Sequence, residues 1–109
     1  MAFRGYMLTL TGVAQRLSDI YGDGIGVVNA AHDLPYRQIL LEPHPSGSGD
    51  VYVGHSNAVD NAHAGLHLVK GTTPSIVSLG PFETGPLKFS DLWIKGTAND
   101  DLHVAAIPF

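Results

Sequence analysis

Apolar and polar residues alternate in short segments along the chain, and residues that favour turns separate these segments. Gly and Pro, 13 and 7 in number, fall mostly between the segments. Short strands separated by turn signals at spacings of about ten residues are typical of all-β sandwiches and barrels. The candidate strands are GYMLTL (5–10), YRQILLE (36–42), DVYVG (50–54), LHLVK (66–70), SIVSL (75–79), DLWIKG (91–96) and LHVAAI (102–107).

This pattern predicts an all-β fold, a single antiparallel β-sandwich domain of jelly-roll-like form over residues 1–109. The alternation also predicts which side chains form the core. One stretch, VAQRLSDIY (13–21), has the apolar spacing of a helix, and the GDGIG that follows would end it, so we expect at most one short helix there. The expected core residues are Leu8, Leu10, Ile39, Leu41, Val51, Val53, Ile76, Leu92, Ile94, Leu102 and Val104.

The final two apolar segments predict an antiparallel hairpin over 91–107. Their connector, TANDD (97–101), is short, and its Asn and Asp residues tolerate left-handed turn conformations. Apolar residues lie on both sides of this predicted hairpin, around Trp93 and Ile107. Both faces are therefore expected to be covered, by a second sheet or by a partner chain.

An earlier pair of segments, within 37–57, predicts a second hairpin. The apolar runs QILL and VYV flank the loop PHPSGSG, in which Pro43 and Pro45 prevent the strand ladder from continuing. We expect this loop to form the surface tip of the hairpin.

Composition and charge exclude several classes of function. The chain is 44% hydrophobic and 15% charged, with a net charge of −4 and only 6 scattered Lys and Arg residues. A basic stripe that could neutralise phosphates is missing, so nucleic-acid binding is not expected. The low charge fraction fits either a protein whose exterior contacts a partner or an ordinary β protein with neutral loops.

The sequence also lacks the patterns of a membrane span and of a cleaved signal. No apolar run approaches the roughly 20 residues of a membrane span, and the first residues lack the pattern of a cleaved signal. The chain contains no Cys, so it has neither a disulfide framework nor a thiolate metal site. We expect a protein made in a reducing cytosol, with no membrane partner and stabilised by packing.

The six histidines raise the possibility of a metal site. His63 and His67 are four residues apart in HAGLH, and His55 and His103 could complete a set of ligands. A cupin-type jelly-roll enzyme would need an H-x-H pair on one strand, which the sequence does not contain. We therefore predict no catalytic residue, no metal site and no cofactor, and we expect that the protein is not an enzyme.

Acidic and aromatic residues leave two further alternatives. The turn carboxylates could hold calcium as a structural ion, with Asn99, Asp100 and Asp101 or with Asn57, Asp60 and Asn61 as the ligands. The aromatic side chains could form a platform for sugars, although aromatic residues more often serve as core or interface anchors. These aromatic residues are Tyr52, Phe82, Phe89, Trp93 and Phe109.

Apolar residues at the two ends of the chain suggest an interface. The ends read MAF (1–3) and AIPF (106–109), and interface cores favour aromatic residues over charged ones. The interface residues that we predict are Phe3, Trp93, Ile107 and Phe109.

The chain also resembles a class of small virion proteins of tailed bacteriophages. The resemblance covers most of the chain and includes LTLTGVAQRLSDIYG (8–22). The sequence departs from the pattern at Pro74 and in the His-rich NAVDNAHAG (57–65). The matching residues are Val51 to Gly54, Ser56, Lys70-Gly71, Ser90-Asp91-Leu92, Gly96-Thr97-Ala98 and Leu102 to Ile107.

What the resemblance implies is a β-sandwich that decorates or cements a phage head. Such a protein would bind the major capsid protein, itself as a homo-oligomer, or both, and would be part of the virion. Three alternatives remain open: a tail or neck component, a carbohydrate-binding module for host attachment, and a metal-dependent jelly-roll enzyme.

Overall fold

In a computed structural model of the chain, the alternating segments form eight β-strands within the described residues. The structure describes residues 4–20, 32–44, 46–60, 62, 65–69, 76–81 and 87–108. The strands are β1 (Arg4–Thr9), β2 (Gln15–Arg16), β3 (Tyr36–Pro43), β4 (Val51–Gly54), β5 (Leu66–Leu68), β6 (Val77–Leu79), β7 (Trp93–Lys95) and β8 (Asp101–Pro108).

The strands form two four-stranded sheets packed as a sandwich. Sheet A has the order β1-β8-β3-β6, and sheet B has the order β2-β7-β4-β5. All described pairings are antiparallel. The pairs β1 with β8, β2 with β7, β3 with β6 and β4 with β5 each have strand numbers that sum to nine, as in one long hairpin rolled into a barrel. The predicted jelly-roll-like sandwich is therefore confirmed.

Neither predicted hairpin forms. The strands β3 and β4 belong to different sheets, as do β7 and β8, so both connections cross from one sheet to the other. Among the described strands, β4 and β5 are the one pair that is consecutive in the chain and also hydrogen-bonded. Alternation determines which face of a strand is buried, but it does not determine which strand lies beside it.

The stretch predicted as a short helix forms a strand and a single tight turn over its described residues, 13–20. Gln15 and Arg16 pair with β7, and Leu17–Asp19 forms a 3₁₀ turn that buries Leu17 and is followed by the buried Ile20. Residues three apart lie on the same side of a 3₁₀ turn, so the apolar spacing of this stretch suits it. Within the described ranges, no helix has the length and apolar character needed to cross a membrane.

The core lies between the two sheets, and nine of the eleven predicted core residues are fully buried in it. Leu92 is partly buried against the core. The prediction for Ile76 is wrong, because its side chain is 63% exposed. Strand β6 begins one residue later, and Val77 and Leu79 are the residues that pack inward. Buried hydrophobic residues outside the prediction are Tyr6, Leu17, Ile20, Tyr36, Val59, Leu68, Phe89 and Ala106. Pro43, expected to end the strand ladder, is instead the buried last residue of β3 and lies opposite Leu102.

One carboxylate joins the two connections that were expected to be hairpin tips. The Asp100 carboxylate accepts hydrogen bonds from the Ser48 N–H at 2.9 Å, the Ser48 hydroxyl at 3.0 Å and the Gly49 N–H at 2.9 Å. Asn99 beside it has a φ of 71°, the left-handed conformation expected for this turn. The β3–β4 and β7–β8 connections are thus held together at one corner of the sandwich.

Candidate functional site

The outer face of sheet A carries apolar side chains where a solvated sheet usually carries polar ones. In β8, the side chains of Leu102, Val104 and Ala106 are buried, so Ala105 and Ile107 face outward. The register places Ala105 beside Gly5 of β1 on one side and Leu40 of β3 on the other. An antiparallel sheet with a free face normally alternates apolar inward and polar outward, so this face is unusual.

An open depression of about 670 Å³ lies across the centre of this face. Gly5 and Ala105 form its low floor, because neither has a side chain longer than a methyl group. A Cβ added at Gly5 would meet no atom within 4 Å. The side chains that contribute the surrounding walls are Met7, Leu40 and Ile76. We refer to this feature as the sheet A depression.

Polar groups line one end of the sheet A depression. Glu42 of β3 lies opposite His103 of β8, and the His103 ring stacks on the His44 ring with centroids 5.3 Å apart. Further along the same face, the Thr9 hydroxyl donates to the Asp101 carboxylate at 3.0 Å. The depression is therefore apolar in its centre, with carboxylate and imidazole groups at one side.

The outer face of sheet B has a different chemistry, with aromatic rings next to cationic or titratable groups. The Arg16 guanidinium lies over the Trp93 ring, 5.8 Å from its centroid. The Tyr52 ring contacts His67, whose Nε2 is 2.7 Å from an Asp50 carboxylate oxygen. One side of each ring is thus taken by a neighbouring side chain of the same chain, which leaves less open ring surface for stacking on a sugar.

The aromatic residues proposed as a platform do not share one surface. Tyr52 and Trp93 lie on the outer face of sheet B, whereas Phe89 is fully buried. Phe82 and Phe109 lie outside the described residues.

The four predicted interface residues do not form one patch among the residues that can be placed. Trp93 lies on the outer face of sheet B, and Ile107 lies on the outer face of sheet A, so they are on opposite sides of the sandwich. Phe3 and Phe109 lie outside the described residues, and their part in an interface stays a prediction.

Apart from His44 and His103, whose rings stack, the described histidines lie in different parts of the structure. His67 lies on sheet B and His103 on sheet A, while His55 borders a smaller depression of about 210 Å³ that Leu66 and Leu92 also line. In the part of the chain that the structure describes, no group of three or more His, Asp or Glu residues is arranged to hold a metal ion. His63 of the HAGLH pair lies outside that part.

A cluster of rings closes one end of the core. Tyr36 stacks on Phe89 with ring centroids 4.7 Å apart, and Tyr6 packs edge-on against the same ring at 5.9 Å. The Tyr36 hydroxyl donates to the His32 carbonyl oxygen at 2.7 Å. Burial, and then the neighbouring Tyr6, raises the pKa of Tyr36 to about 12. The nearby Tyr6 hydroxyl also raises the pKa of Arg4.

Sequence reasoning missed the sheet A depression, although part of its signal is visible in the sequence. Leu40 and Ala105 occupy positions that alternate with core residues, where a solvated strand would carry a polar side chain. Their juxtaposition across β3 and β8 depends on a strand pairing that the alternation does not specify.

Comparison of the chain with protein-family models, with curated proteins and with solved structures found no match.

Proposed function

We propose that this chain is a structural protein of a phage virion, a capsid decoration protein that binds and stabilises the head shell without catalysing a reaction. The observation that carries the proposal is the sheet A depression, an exposed apolar surface at the centre of a sheet. Contiguous exposed apolar patches with a polar margin mark interaction sites in otherwise soluble folds. The resemblance to small virion proteins gives the class of partner.

The geometry of the depression suits attachment to a broad protein surface. It spans several strands, its floor is low at Gly5 and Ala105, and Met7 and Leu40 stand at its sides. An apolar side chain of the shell protein could enter above the floor, surrounded by a margin that excludes water. Binding energy at protein interfaces is concentrated in such central, well-packed contacts.

Charge at the margin gives the contact a preferred orientation. Glu42 and Asp101 lie on the same face as the depression, and the chain carries a net charge of −4. A shell surface with a basic residue near an apolar projection would complement this arrangement. Charged margins contribute more to orientation and association rate than to affinity.

The first experiment measures binding to shells by cosedimentation, using heads of the phage that encodes the chain after this protein has been removed. Leu40→Glu and Ala105→Glu place a charge in the depression, and we expect each to weaken binding by at least about tenfold. Val13→Glu is the matched control, because Val13 is also apolar and is 61% exposed, but does not line the depression. Equal binding by all three variants would contradict the proposal.

A cryo-electron microscopy map of the virion gives an independent test. We expect density for this sandwich on the outside of the head, with sheet A toward the shell. Density in the tail or neck would replace the decoration role by the alternative structural role. Absence of the protein from purified virions would contradict both.

A further inference from the structure

The four edge strands of the sandwich differ in length. Strands β5 and β6 have three residues each and β2 has two, whereas β1 has six. Natural sheets limit unwanted pairing by keeping edge strands short, by bulges, or by Pro and charged residues along the edge. Three of the four described edge strands are short, whereas β1 is not.

The outward backbone groups of β1 alternate with those that pair inside the sheet. The Leu10 N–H donates to the Asp100 carbonyl oxygen at 2.8 Å, so the even-numbered residues preceding it direct their N–H groups toward β8. The N–H and C=O groups of Gly5, Met7 and Thr9 therefore point away from β8, toward the free edge. No described strand lies on that side of β1.

Among the described residues, no other edge protection is visible on β1. Its pairing with β8 runs without a bulge from Arg4 to Thr9, and its sequence, RGYMLT, contains no Pro. Its one charged residue, Arg4, lies at the start of the strand. Gly5, Met7 and Thr9, whose backbone groups face the free edge, are uncharged.

We infer that β1 is the pairing edge for a second copy of this chain, joined in antiparallel fashion about a two-fold axis at Met7. An antiparallel edge is complementary to itself, because a two-fold rotation places each outward N–H opposite an outward C=O. Gly5 of each copy then lies opposite Thr9 of the other, and the three outward residues form about six N–H···O=C bonds. The two sheets A become one eight-stranded sheet.

Charge favours the antiparallel arrangement of two copies over a parallel one, and the apolar surface favours a second copy as the partner. With Met7 at the axis, the two Arg4 residues lie six positions apart, about 20 Å at the rise of a β-strand. Parallel pairing would instead bring them together. Met7 of each copy lies beside its symmetry mate on the outer face, so the two sheet A depressions meet across the axis. The inference goes beyond the proposed function and does not depend on it.

The experiment measures the dimer dissociation constant of the full chain by sedimentation equilibrium. Met7→Pro removes the outward N–H at the axis while leaving the intrachain ladder intact, and Pro is tolerated on an edge strand whose N–H faces solvent. We expect the dissociation constant to rise by at least about tenfold. Met7→Ala is the matched control, since it shortens the side chain but keeps the N–H, and we expect it to change the constant by much less.

Amide hydrogen exchange of the wild-type protein supplies a second measurement that needs no variant. We expect the amides of Gly5, Met7 and Thr9 to exchange slowly at concentrations where the dimer forms and quickly on dilution. The amides of Tyr6 and Leu8 should stay protected at both concentrations, because they pair with β8.

Three results would overturn the inference. The first is that the protein stays a monomer at every concentration. This result would overturn the inference even if the β1 amides became protected when shells are added. The second is a dimer in which Gly5, Met7 and Thr9 exchange at the monomer rate. The third is a dimer that Met7→Pro and Met7→Ala weaken equally, which would place the contact on the apolar face instead of the edge. Shell binding is measured separately, so either proposal can fail alone.

Discussion

At the scale of single residues, the raised pKa of Tyr36 makes stability depend on pH under alkaline conditions. Its pKa is raised to about 12 in the folded state, whereas the ordinary value is 10.0. Between these two pH values the folded state keeps the proton and the unfolded state loses it, so stability decreases as pH rises. We expect a loss of about 2 kcal/mol across this window, measured by urea unfolding at each pH. In the Tyr36→Phe variant, the decrease in the free energy of unfolding over this pH range should be smaller by that amount. A decrease as large as that of the wild-type protein would contradict the raised pKa of Tyr36.

Gly12 allows a prediction about backbone conformation. Its φ is +87°, which is unfavourable for residues with a Cβ, and a Cβ there would lie 3.2 Å from the Cβ of Ala98. Gly12→Ala should therefore lower the free energy of unfolding by about 1 to 2 kcal/mol. Gly5→Ala is the control, because a Cβ at Gly5 meets open space, and we expect it to leave stability unchanged or slightly higher. Equal losses in urea titrations of the two variants would refute this explanation.

Burial of individual residues was largely predictable from the sequence, because a period of two identifies the inward face of a strand. Leu102 and Val104 are examples, since both are buried as the alternation requires. The error at Ile76 is one of phase: Val77 and Leu79 pack inward, so Ile76, one position away from Val77, lies on the opposite face. Tyr36 was missed because the register of β3 shifts between Tyr36 and Gln38, so Tyr36 and Ile39 both face inward. Phe89 was missed because it lies in a 3₁₀ turn, which has no period of two.

At the level of elements, strands could be predicted but their partners could not. The segments leading to β3 and β8 were identified nearly to their ends, yet β8 was assigned to β7 instead of its neighbours β1 and β3. A local sequence pattern contains turn chemistry and alternation, whereas the choice of sheet depends on burial against the whole chain. Polar connectors such as TANDD suit a corner between sheets as well as a hairpin turn.

The corner at Asp100 gives a prediction at this scale. Asp100→Ala removes the acceptor for the Ser48 N–H and hydroxyl and for the Gly49 N–H, which link the two crossing connections. We expect a loss of about 1 to 3 kcal/mol, because hydrogen bonds to a charged group are stronger than neutral ones.

Asp19→Ala is the matched control for this corner. Its carboxylate forms an exposed ion pair with Arg16 at 3.0 Å, which should be worth less than about 1 kcal/mol. Chemical unfolding of both variants measures the difference. If the loss for Asp19→Ala is as large as that for Asp100→Ala, the corner does not hold the connections in the way described.

For the whole molecule, the opposite positions of Trp93 and Ile107 have a measurable consequence. If both residues serve interfaces, they contact different partners, because the thickness of the sandwich separates them. Trp93→Ser and Ile107→Ser should then have additive effects on the free energy of assembly with shells. A double-mutant cycle measured by cosedimentation tests this, and a coupling of about 1 kcal/mol or more would show that the two residues act in one contact.

The candidate site was less predictable than the fold, because it is assembled from segments far apart in the chain. Met7, Leu40, Ile76 and Ala105 come from four different segments, and only the strand order brings them around one depression. The sequence did indicate outward apolar positions near Ile107. It could not indicate which other strands contribute to the same surface.

The position of β8 within sheet A affects how the protein is made. It is the last of the eight described strands, yet it lies between β1 and β3 and supplies the ladder partner of both. During synthesis on the ribosome, β1 and β3 therefore emerge long before the strand that will separate them, and sheet A cannot close until β8 has left the exit tunnel. Until then, apolar edges remain exposed on the nascent chain, which is the stage at which chaperones protect proteins from aggregation.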